Sequence, residues 1–284
     1  MKELLSASTW NIMWQDFRAA NTASPGRKMD QGEFWNQRAE SFANNTVKSR
    51  DSSRVDTVFD FLRYHRALQP GISVLDIGSG PGSFAIPFAR LGCRVTALDP
   101  SRRMLDLFKE SIPNDLRDSI ETLEGLWEDI DPDAQGWVNQ FDLIFASMCP
   151  GVNEQALIEK MMLCSRQWCY VSAFSGPRNF EVYDEVWGAI TGHPYPNHFN
   201  DIIFPFNLVY AQGYKPMIQF IESSFTQKEH PDKFTAELYS LLPQTPTRAQ
   251  EEAIRSIILR HTKDDAVHQL VRSSVGMMLW RVKE

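Results

Sequence analysis

The chain has 284 residues, of which 43% are hydrophobic, so it is long enough to bury a sizeable core in one large α/β domain with additions. Its formal net charge is −7 and its pI is about 5.5, which counts against a nucleic acid as the main partner because such partners select for clustered positive charge. We expect no membrane partner and a cytoplasmic location, since no apolar stretch approaches membrane-spanning length and residues 1–6 do not begin a signal peptide.

The first 68 residues predict helices that precede the first strand. An apolar cluster at helical spacing around Trp10 and Trp14 predicts an N-terminal helix, which could cover a ligand pocket, cover core or join a partner chain. A second helix is expected over 34–42, with Trp35 and Phe42 on one face. A third is expected over 55–68, before Pro70 and Gly71 open a strand.

A glycine-rich turn follows the first predicted strand, at 72–75. The sequence from Asp76 to Gly82 has the pattern D-x-G-x-G-x-G and leads into a predicted helix. Gly78 and Gly80 allow a tight turn and let a ligand lie against bare main chain. The dinucleotide fingerprint G-x-G-x-x-G would need its third glycine at Ser83, so this spacing disfavours a nicotinamide cofactor.

The following segments alternate between strands and helices. Strands are predicted at 93–98, 119–123, 141–147 and 168–174. The second of the sheet's strands ends at Asp99, an acid placed to accept both hydroxyls of a ribose. This alternation predicts a doubly wound, mainly parallel sheet with right-handed crossovers.

The C-terminal part is predicted to combine helices with two further strands. Helical stretches within 178–213 surround a proline-rich loop that contains His193 and His198. Strands are expected at 216–226 and 275–282, with helices over 232–264 between them. Either histidine could act as a general base near neutral pH, serve packing or the surface, or ligate a metal, although a third ligand is missing from the pattern.

The four cysteines, Cys93, Cys149, Cys164 and Cys169, do not form a C-x-x-C pattern. We interpret them as free thiols that fill small apolar spaces. Binding of arsenic or another metalloid substrate by their thiolates is the alternative.

With these motifs in place, the chain resembles the class I S-adenosylmethionine-dependent methyltransferases of small molecules. The resemblance covers roughly 34–175 and rests on 74–82 (VLDIGSGPG) and 95–101 (VTALDPS), with weaker pieces at 125–130 and 141–147. It implies a Rossmann-like α/β fold with a seven-stranded sheet, N-terminal helices and a helical cap. The implied division is 1–66 for the helices, 67–175 for the cofactor-binding core and 176–284 for the cap with the last two strands.

The same resemblance implies the cofactor, S-adenosyl-L-methionine, and the residues that hold it. Asp76 would bind the methionine amino group, Asp99 the ribose, and Trp35 would help to close the pocket. Leu126 departs from the family pattern, which often has an Asp at this place, so packing and backbone contacts are expected there. The remaining implied cofactor residues are Gly78, Ser79, Gly80, Gly82, Pro100, Met104, Trp127, Glu128, Ser147 and Met148.

The implied reaction is transfer of a methyl group to a small-molecule acceptor by in-line displacement, for which alignment alone can supply much of the rate. A base is needed only where the acceptor must lose a proton, and His193 and His198 are the candidates. Alternatives are a non-catalytic protein that binds or senses an S-adenosyl ligand and, less favoured by the glycine spacing, a nicotinamide-dependent oxidoreductase. The chain is expected to be a monomer or homodimer that binds no metal, and the sequence leaves the acceptor open.

Overall fold

The computed structural model describes residues 6–21, 31–40, 52–196, 200–242 and 245–283. These residues form two compact units. The first contains the chain up to Ala173, Asn200–Gln219 and the chain from Gly276 onward, and the second contains Phe174–Phe199 and Phe220–Val275. The expected positions of Phe42 and His198 lie outside the described residues.

The strands of the described residues form one nine-stranded sheet in the order β3-β2-β1-β4-β5-β9-β6, and β7 and β8 also pair with β9. Neighbours among β1 to β5 run parallel, whereas β6 and β8 are antiparallel to β9. The expected Rossmann-like α/β architecture with a mainly parallel core is thus confirmed. The expected number of seven strands was wrong, because the two-residue strands β6 and β8 also pair with β9 in the described part of the chain. The strands are β1 (Ser73–Ile77), β2 (Arg94–Asp99), β3 (Ile120–Glu124), β4 (Phe141–Ser147), β5 (Ser165–Phe174), β6 (Asn179–Phe180), β7 (Met217–Glu229), β8 (Thr262–Lys263) and β9 (Ala266–Arg281).

Helices precede the sheet, connect its parallel strands and separate β7 from β9. The described helices are α1 (Ala7–Asn21), α2 (Gln31–Asn36), α3 (Ser52–Tyr64), α4 (Ala85–Arg90), α5 (Arg102–Ser111), α6 (Gln155–Cys164), α7 (Glu181–Thr191), α8 (Ile203–Ala211), α9 (Pro231–Leu241) and α10 (Arg248–Arg260). Short 3-10 turns span Asn114–Ser119 and Trp127–Asp129. None of the described helices is long and apolar enough to cross a membrane.

The first unit is built around the parallel strands. The four residues of β1 from Val74 to Ile77 are buried, as expected for a strand covered on both faces. In the next strands, the rings of Phe145 and Tyr170 stack with centroids 4.5 Å apart, and Phe88 meets Phe145 edge-on at 5.1 Å. This aromatic packing fixes the register of β4 and β5 and therefore where their carboxyl ends lie.

Helix α1 covers core of the first unit. Trp14 is fully buried, its ring stacks over Phe204 with centroids 6.3 Å apart, and its Nε1 donates to Asn200 Oδ1 at 2.5 Å. Asn11 Oδ1 accepts the N–H of Gln155 at 2.8 Å, which satisfies a backbone donor at the start of α6. The sequence left open whether this helix covers a ligand pocket, covers core or joins a partner chain. The described contacts are those of a helix that covers core.

The second unit has its own apolar core. Its members include Phe180, Val186, Trp187, Phe234 and Leu238. Thr247 and Gln250 form a reciprocal capping box that starts α10. The two helices α9 and α10 lie between β7 and β9 in the chain, which confirms the expected helical insertion between the last long strands.

Candidate functional site

The carboxyl ends of β1, β2 and β4 meet at one edge of the sheet, where open α/β sheets bind ligands. Leu98 O accepts the N–H groups of Gly78 at 2.8 Å and Ser79 at 3.1 Å, which joins the turn after β1 to the end of β2. Gly125 N donates to Asp99 O at 3.1 Å, which brings the 125–128 segment to the same place. Three of the sequence-predicted motifs are therefore adjacent in space.

The glycine turn has the backbone conformation that its sequence predicts. Gly78, Gly80 and Gly82 have φ angles of +72°, +54° and +82°, a backbone region that residues with a Cβ atom rarely adopt. A Cβ on Gly82 would lie 2.1 Å from Phe108 Cε2, so this glycine is also required by packing. The N–H groups of Gly78, Ser79 and Gly80 already donate to acceptors within the protein. The turn therefore lets a ligand approach the main chain closely, but these three N–H groups are not free to donate to it.

Asp76 is a buried acid at the end of β1, with only 3% of its surface exposed. Its Oδ2 has no hydrogen-bond partner among the described residues, although it lies beside the turn. Burial, with the negative charge of Asp99 as a second cause, raises the pKa of Asp76 to about 8. A buried acceptor without a donor is costly, so the geometry fits a ligand that presents an ammonium or another donor here.

Asp99 is held rigidly at the end of β2. Its Oδ2 accepts the N–H of Gly80 at 2.8 Å, and its Oδ1 accepts the N–H of Ser101 at 2.9 Å. Burial raises the pKa of Asp99, and these two backbone bonds act in the opposite direction. Each carboxylate oxygen retains a further lone pair, which suits the two hydroxyls of a ribose.

The predicted adenine-side residues are placed around this acid. Ser101 caps α5 by accepting the N–H of Met104 at 3.1 Å, and Met104 itself is buried. Pro100 is half-buried, as expected of a residue that could contact a ligand. Asn36 Oδ1 accepts from Ser101 Oγ at 2.8 Å, so α2 and its half-buried Trp35 are attached to the turn that follows Asp99.

Trp127 lies in the core of the first unit. It is 3% exposed, and its Nε1 donates to Leu157 O at 3.2 Å. The backbone carbonyls of Trp127, Glu128 and Ile130 all accept from Lys160 Nζ at 2.8–2.9 Å. The half-buried Leu126 and the exposed side chain of Glu128 flank this turn, so Lys160 determines the shape of the predicted adenine segment.

Ser147 is the last residue of β4, and Met148 follows it in a strained turn. Met148 has φ = +53°, an uncommon conformation for a residue with a long side chain. Its N–H donates to Ser172 O at 2.9 Å and contacts Ser172 Oγ at 3.2 Å, while Ser147 Oγ lies 3.1 Å from Ser172 Oγ. Ser172, which the sequence did not single out, thus holds the turn that presents both residues.

Two further residues of this edge were missed. A Cβ on Gly78 would come within 2.6 Å of Cys149 Sγ, so the cysteine packs against the glycine turn. Burial raises the pKa of Cys149 to about 12, which keeps its thiol protonated at neutral pH. Arg54, in the first turn of α3, donates from Nη2 to Ser147 Oγ at 2.9 Å. The positions of Cys149 beside Gly78 and of Arg54 beside Ser147 could not be read from any short motif.

Of the predicted bases, only His193 is described. It is an exposed residue of the second unit, and its N–H donates to Thr191 Oγ1 at 3.2 Å. Within the described part of the chain, no group of three or more His, Cys, Asp or Glu side chains could hold a metal ion. The four cysteines are free, as expected from their spacing in the sequence.

Comparisons with known proteins agree with this geometry. Residues 74–166 match the family described as a methyltransferase domain. An uncharacterized protein of Haemophilus influenzae is 28% identical over 193 residues, which cover 66% of each chain. A ubiquinone biosynthesis O-methyltransferase of Methylocella silvestris is 41% identical over 69 residues, which are 22% of this chain and 27% of that protein.

Among solved structures, a Bacillus halodurans protein provisionally described as a methyltransferase has a TM-score of 0.52 and 14% sequence identity. The match covers 82% of this chain and all of that one, and at this identity it shows a shared fold. These comparisons therefore give residues 74–166 of this chain similarity to a methyltransferase domain and give the chain a fold shared with that solved structure. The chain spans 66% and 27% of the lengths of the two curated relatives.

Proposed function

We propose that the protein is an S-adenosylmethionine-dependent methyltransferase that acts on a small-molecule acceptor. The observation that carries the proposal is the pair of buried acids, Asp76 and Asp99, on either side of a positive-φ glycine turn. Asp76 Oδ2 and Ser79 Oγ are both buried without a hydrogen-bond partner among the described residues. Such orphaned groups fit a polar ligand that supplies the missing bonds.

In this proposal, Asp76 receives the methionine ammonium and Asp99 the two ribose hydroxyls. The bound cofactor supplies a methyl group that is already activated, so the protein's task is to align donor and acceptor. The rigid turn from Gly78 to Gly82 permits close approach, and the turn at Met148 faces the space beyond the sulfur. Trp35 is proposed to cover the pocket, with Pro100, Met104 and the 126–128 segment around the adenine.

His193 and His198 are proposed to assist removal of a proton from the acceptor. Support comes from chemistry alone, since an imidazole titrates near neutral pH and the two residues share a proline-rich loop. His193→Gln and His198→Gln should each lower turnover and leave the affinity for S-adenosylhomocysteine within about twofold. Full turnover in both variants would assign catalysis to alignment without a histidine base.

The remaining parts of the proposal concern the whole protein. A monomer or homodimer in the cytoplasm with no nucleic-acid or membrane partner is consistent with the net charge of −7 and the free cysteines. Sedimentation at several protein concentrations would measure the oligomeric state.

Two measurements test the function. Calorimetry should show binding of S-adenosylmethionine and S-adenosylhomocysteine and none of NAD. A screen of small-molecule acceptors that follows S-adenosylhomocysteine release should then find turnover. Tight binding with no turnover on any acceptor would favour a sensing protein, and absence of binding would refute the proposal.

A further inference from the structure

Strand β7 has an unpaired edge and, along most of its second half, two uncovered faces. Among the described residues its one strand partner is β9, so the backbone N–H and C=O groups on its other edge have no strand opposite them. All residues from Glu222 to Lys228 are exposed. Because successive side chains of a strand point to opposite faces, neither face of this stretch is covered. An exposed edge of this length is a template for pairing with another chain.

The sequence of β7 lacks most of the features that keep an exposed edge from pairing. Met217–Glu229 contains no proline and no glycine, and its one lysine, Lys228, stands next to the end of the strand. Two large apolar side chains of the strand, Phe220 and Phe225, are 52% and 46% exposed. Removal of such rings from water is favourable, so the strand is stabilised when a partner covers it.

The charges of β7 are complementary to those of a second copy of the same strand. Glu222 and Lys228 each lie three residues from Phe225, one on either side. When two copies run antiparallel about a two-fold axis at Phe225, Glu222 of each copy lies directly opposite Lys228 of the other. In the part of the chain that the structure describes, the ion pair of this strand joins Glu229 to Lys233, and neither Glu222 nor Lys228 takes part in one. Both charges are therefore available to a partner.

The same register also matches the residues between these charges. The two Phe225 rings meet at the axis, and Ser224 lies opposite Thr226, which are stabilising kinds of cross-strand pair. An axis at Ser224 or Thr226 would separate the opposite charges. An axis at Glu222 or Lys228 would place like charges directly opposite each other, which is destabilising. The charge pattern thus favours the axis at Phe225 over its neighbours.

We propose that β7 pairs with β7 of a second copy of this chain, antiparallel about a two-fold axis at Phe225. The residues proposed to bind the cofactor lie outside β7, so this inference goes beyond the proposed reaction and does not depend on it. A single pair of short strands buries less surface than a standard protein interface, which totals roughly 1,600 Å². We therefore expect a dimer that dissociates on dilution.

Reversal of one charge at a time tests this register. In Glu222→Lys both cross-strand pairs become lysine against lysine, and in Lys228→Glu both become glutamate against glutamate. Neither variant should dimerise with itself, whereas an equimolar mixture of the two restores both ion pairs and should form a heterodimer. Lys263→Glu is the matched control, because it changes an exposed lysine on β8 and gives the same net charge as Lys228→Glu.

Sedimentation equilibrium from about 1 μM to about 500 μM, a range suited to small interfaces, measures the dimer dissociation constant. Each single variant alone should dimerise roughly tenfold or more weakly than wild type, and the mixture and Lys263→Glu should lie within about threefold of wild type. Thermal unfolding in dilute solution should give these proteins similar midpoints, since the substituted residues are exposed.

Two results would overturn the pairing. A wild type that stays monomeric at every concentration leaves the edge of β7 to a strand of different sequence. A dimer that both single variants retain, with no gain on mixing them, places the interface on another surface.

Discussion

At the scale of single residues, Asp99 offers the most direct test of cofactor binding. Asp99→Ala should weaken S-adenosylmethionine binding by roughly tenfold or more, because each hydrogen bond to a charged group contributes about 1.5–3 kcal/mol. Calorimetry measures the change, and Asp106→Ala, which removes an acid paired with Arg102 at 3.9 Å on α5, is the control. An affinity equal to that of wild type would remove Asp99 from the site.

A second variant at this position separates charge from structure. Since Asp99 also binds the N–H groups of Gly80 and Ser101, its loss should destabilise the turn. Asp99→Asn retains one acceptor oxygen and should recover part of the stability while recovering little of the affinity.

The raised pKa of Asp76 predicts how stability depends on pH. Its pKa is about 8 in the folded protein and about 4 in an unfolded chain, so the folded state retains the proton between these values. Stability contributed by the protonated carboxyl is complete below about pH 4 and is lost as the pH rises towards about 8. The loss is about 1.4 kcal/mol per pH unit across that window.

Denaturant unfolding of the ligand-free protein measures this dependence. Asp76→Asn, which is uncharged at every pH, should flatten the decline between pH 5 and pH 8 relative to wild type. The decline in stability that remains in Asp76→Asn includes the contribution of Asp99, whose pKa is also raised. Parallel curves for the variant and wild type would show that Asp76 is ionised in the folded state at neutral pH.

How much of the candidate site can be predicted from the sequence depends on whether its contacts are local in the chain. Asp76, Gly78 and Asp99 stand in short motifs, so their neighbours in sequence are also their neighbours in the fold. Arg54 lies 93 residues from Ser147, and no pattern around it distinguishes it from Arg63. Its place at the site depends on the packing of α3, which the sequence does not encode in a short segment.

At the scale of elements, the turn between β1 and α4 depends on the absence of a side chain at Gly82. Gly82→Ala should destabilise the protein by roughly 1–3 kcal/mol more than Gly136→Ala does, because a Cβ at Gly82 would lie 2.1 Å from the buried Phe108 ring. Gly136 is the matched control, since it has φ = +65° with nothing within 4 Å of its Cβ position.

Thermal unfolding of the two variants gives the comparison. Both carry the strain of a positive φ, so their difference reports the contact with Phe108. Equal unfolding midpoints would mean that Phe108 on α5 moves away from the new Cβ with no loss of stability.

Strand β4 was predicted from the sequence, whereas the first half of β9 was not. The strand expected at 141–147 is β4, because its apolar run is bounded by clear breaks. The last strand was expected to begin at 275, but it begins at Ala266. Its first half was not predicted because its buried positions include the polar residues Gln269 and Ser273. Gln269 is polar yet buried because its Oε1 accepts the N–H of Val182 at 2.9 Å at the start of α7. Inward-facing polar residues of this kind remove the alternation on which a strand prediction depends.

At the scale of the whole molecule, the described residues that are proposed to bind the cofactor all belong to the first unit. Saturation with S-adenosylhomocysteine should slow amide hydrogen exchange in the segments 76–104 and 147–152. The core helix α10 of the second unit has its own apolar packing and should be unaffected within error. Protection confined to the second unit would place the ligand elsewhere and contradict the assigned site.

Lys160 carries a consequence for chemical labelling. Its Nζ donates to three backbone carbonyl oxygens at 2.8–2.9 Å, so these contacts shield the nitrogen from an electrophile. Brief treatment of the folded protein with an acylating reagent, read by mass spectrometry, should modify the exposed Lys109 well before Lys160. Once Lys160 is acylated, the three carbonyls face one another without a cation, so the modified molecules should release adenine-containing ligands more readily than the unmodified ones.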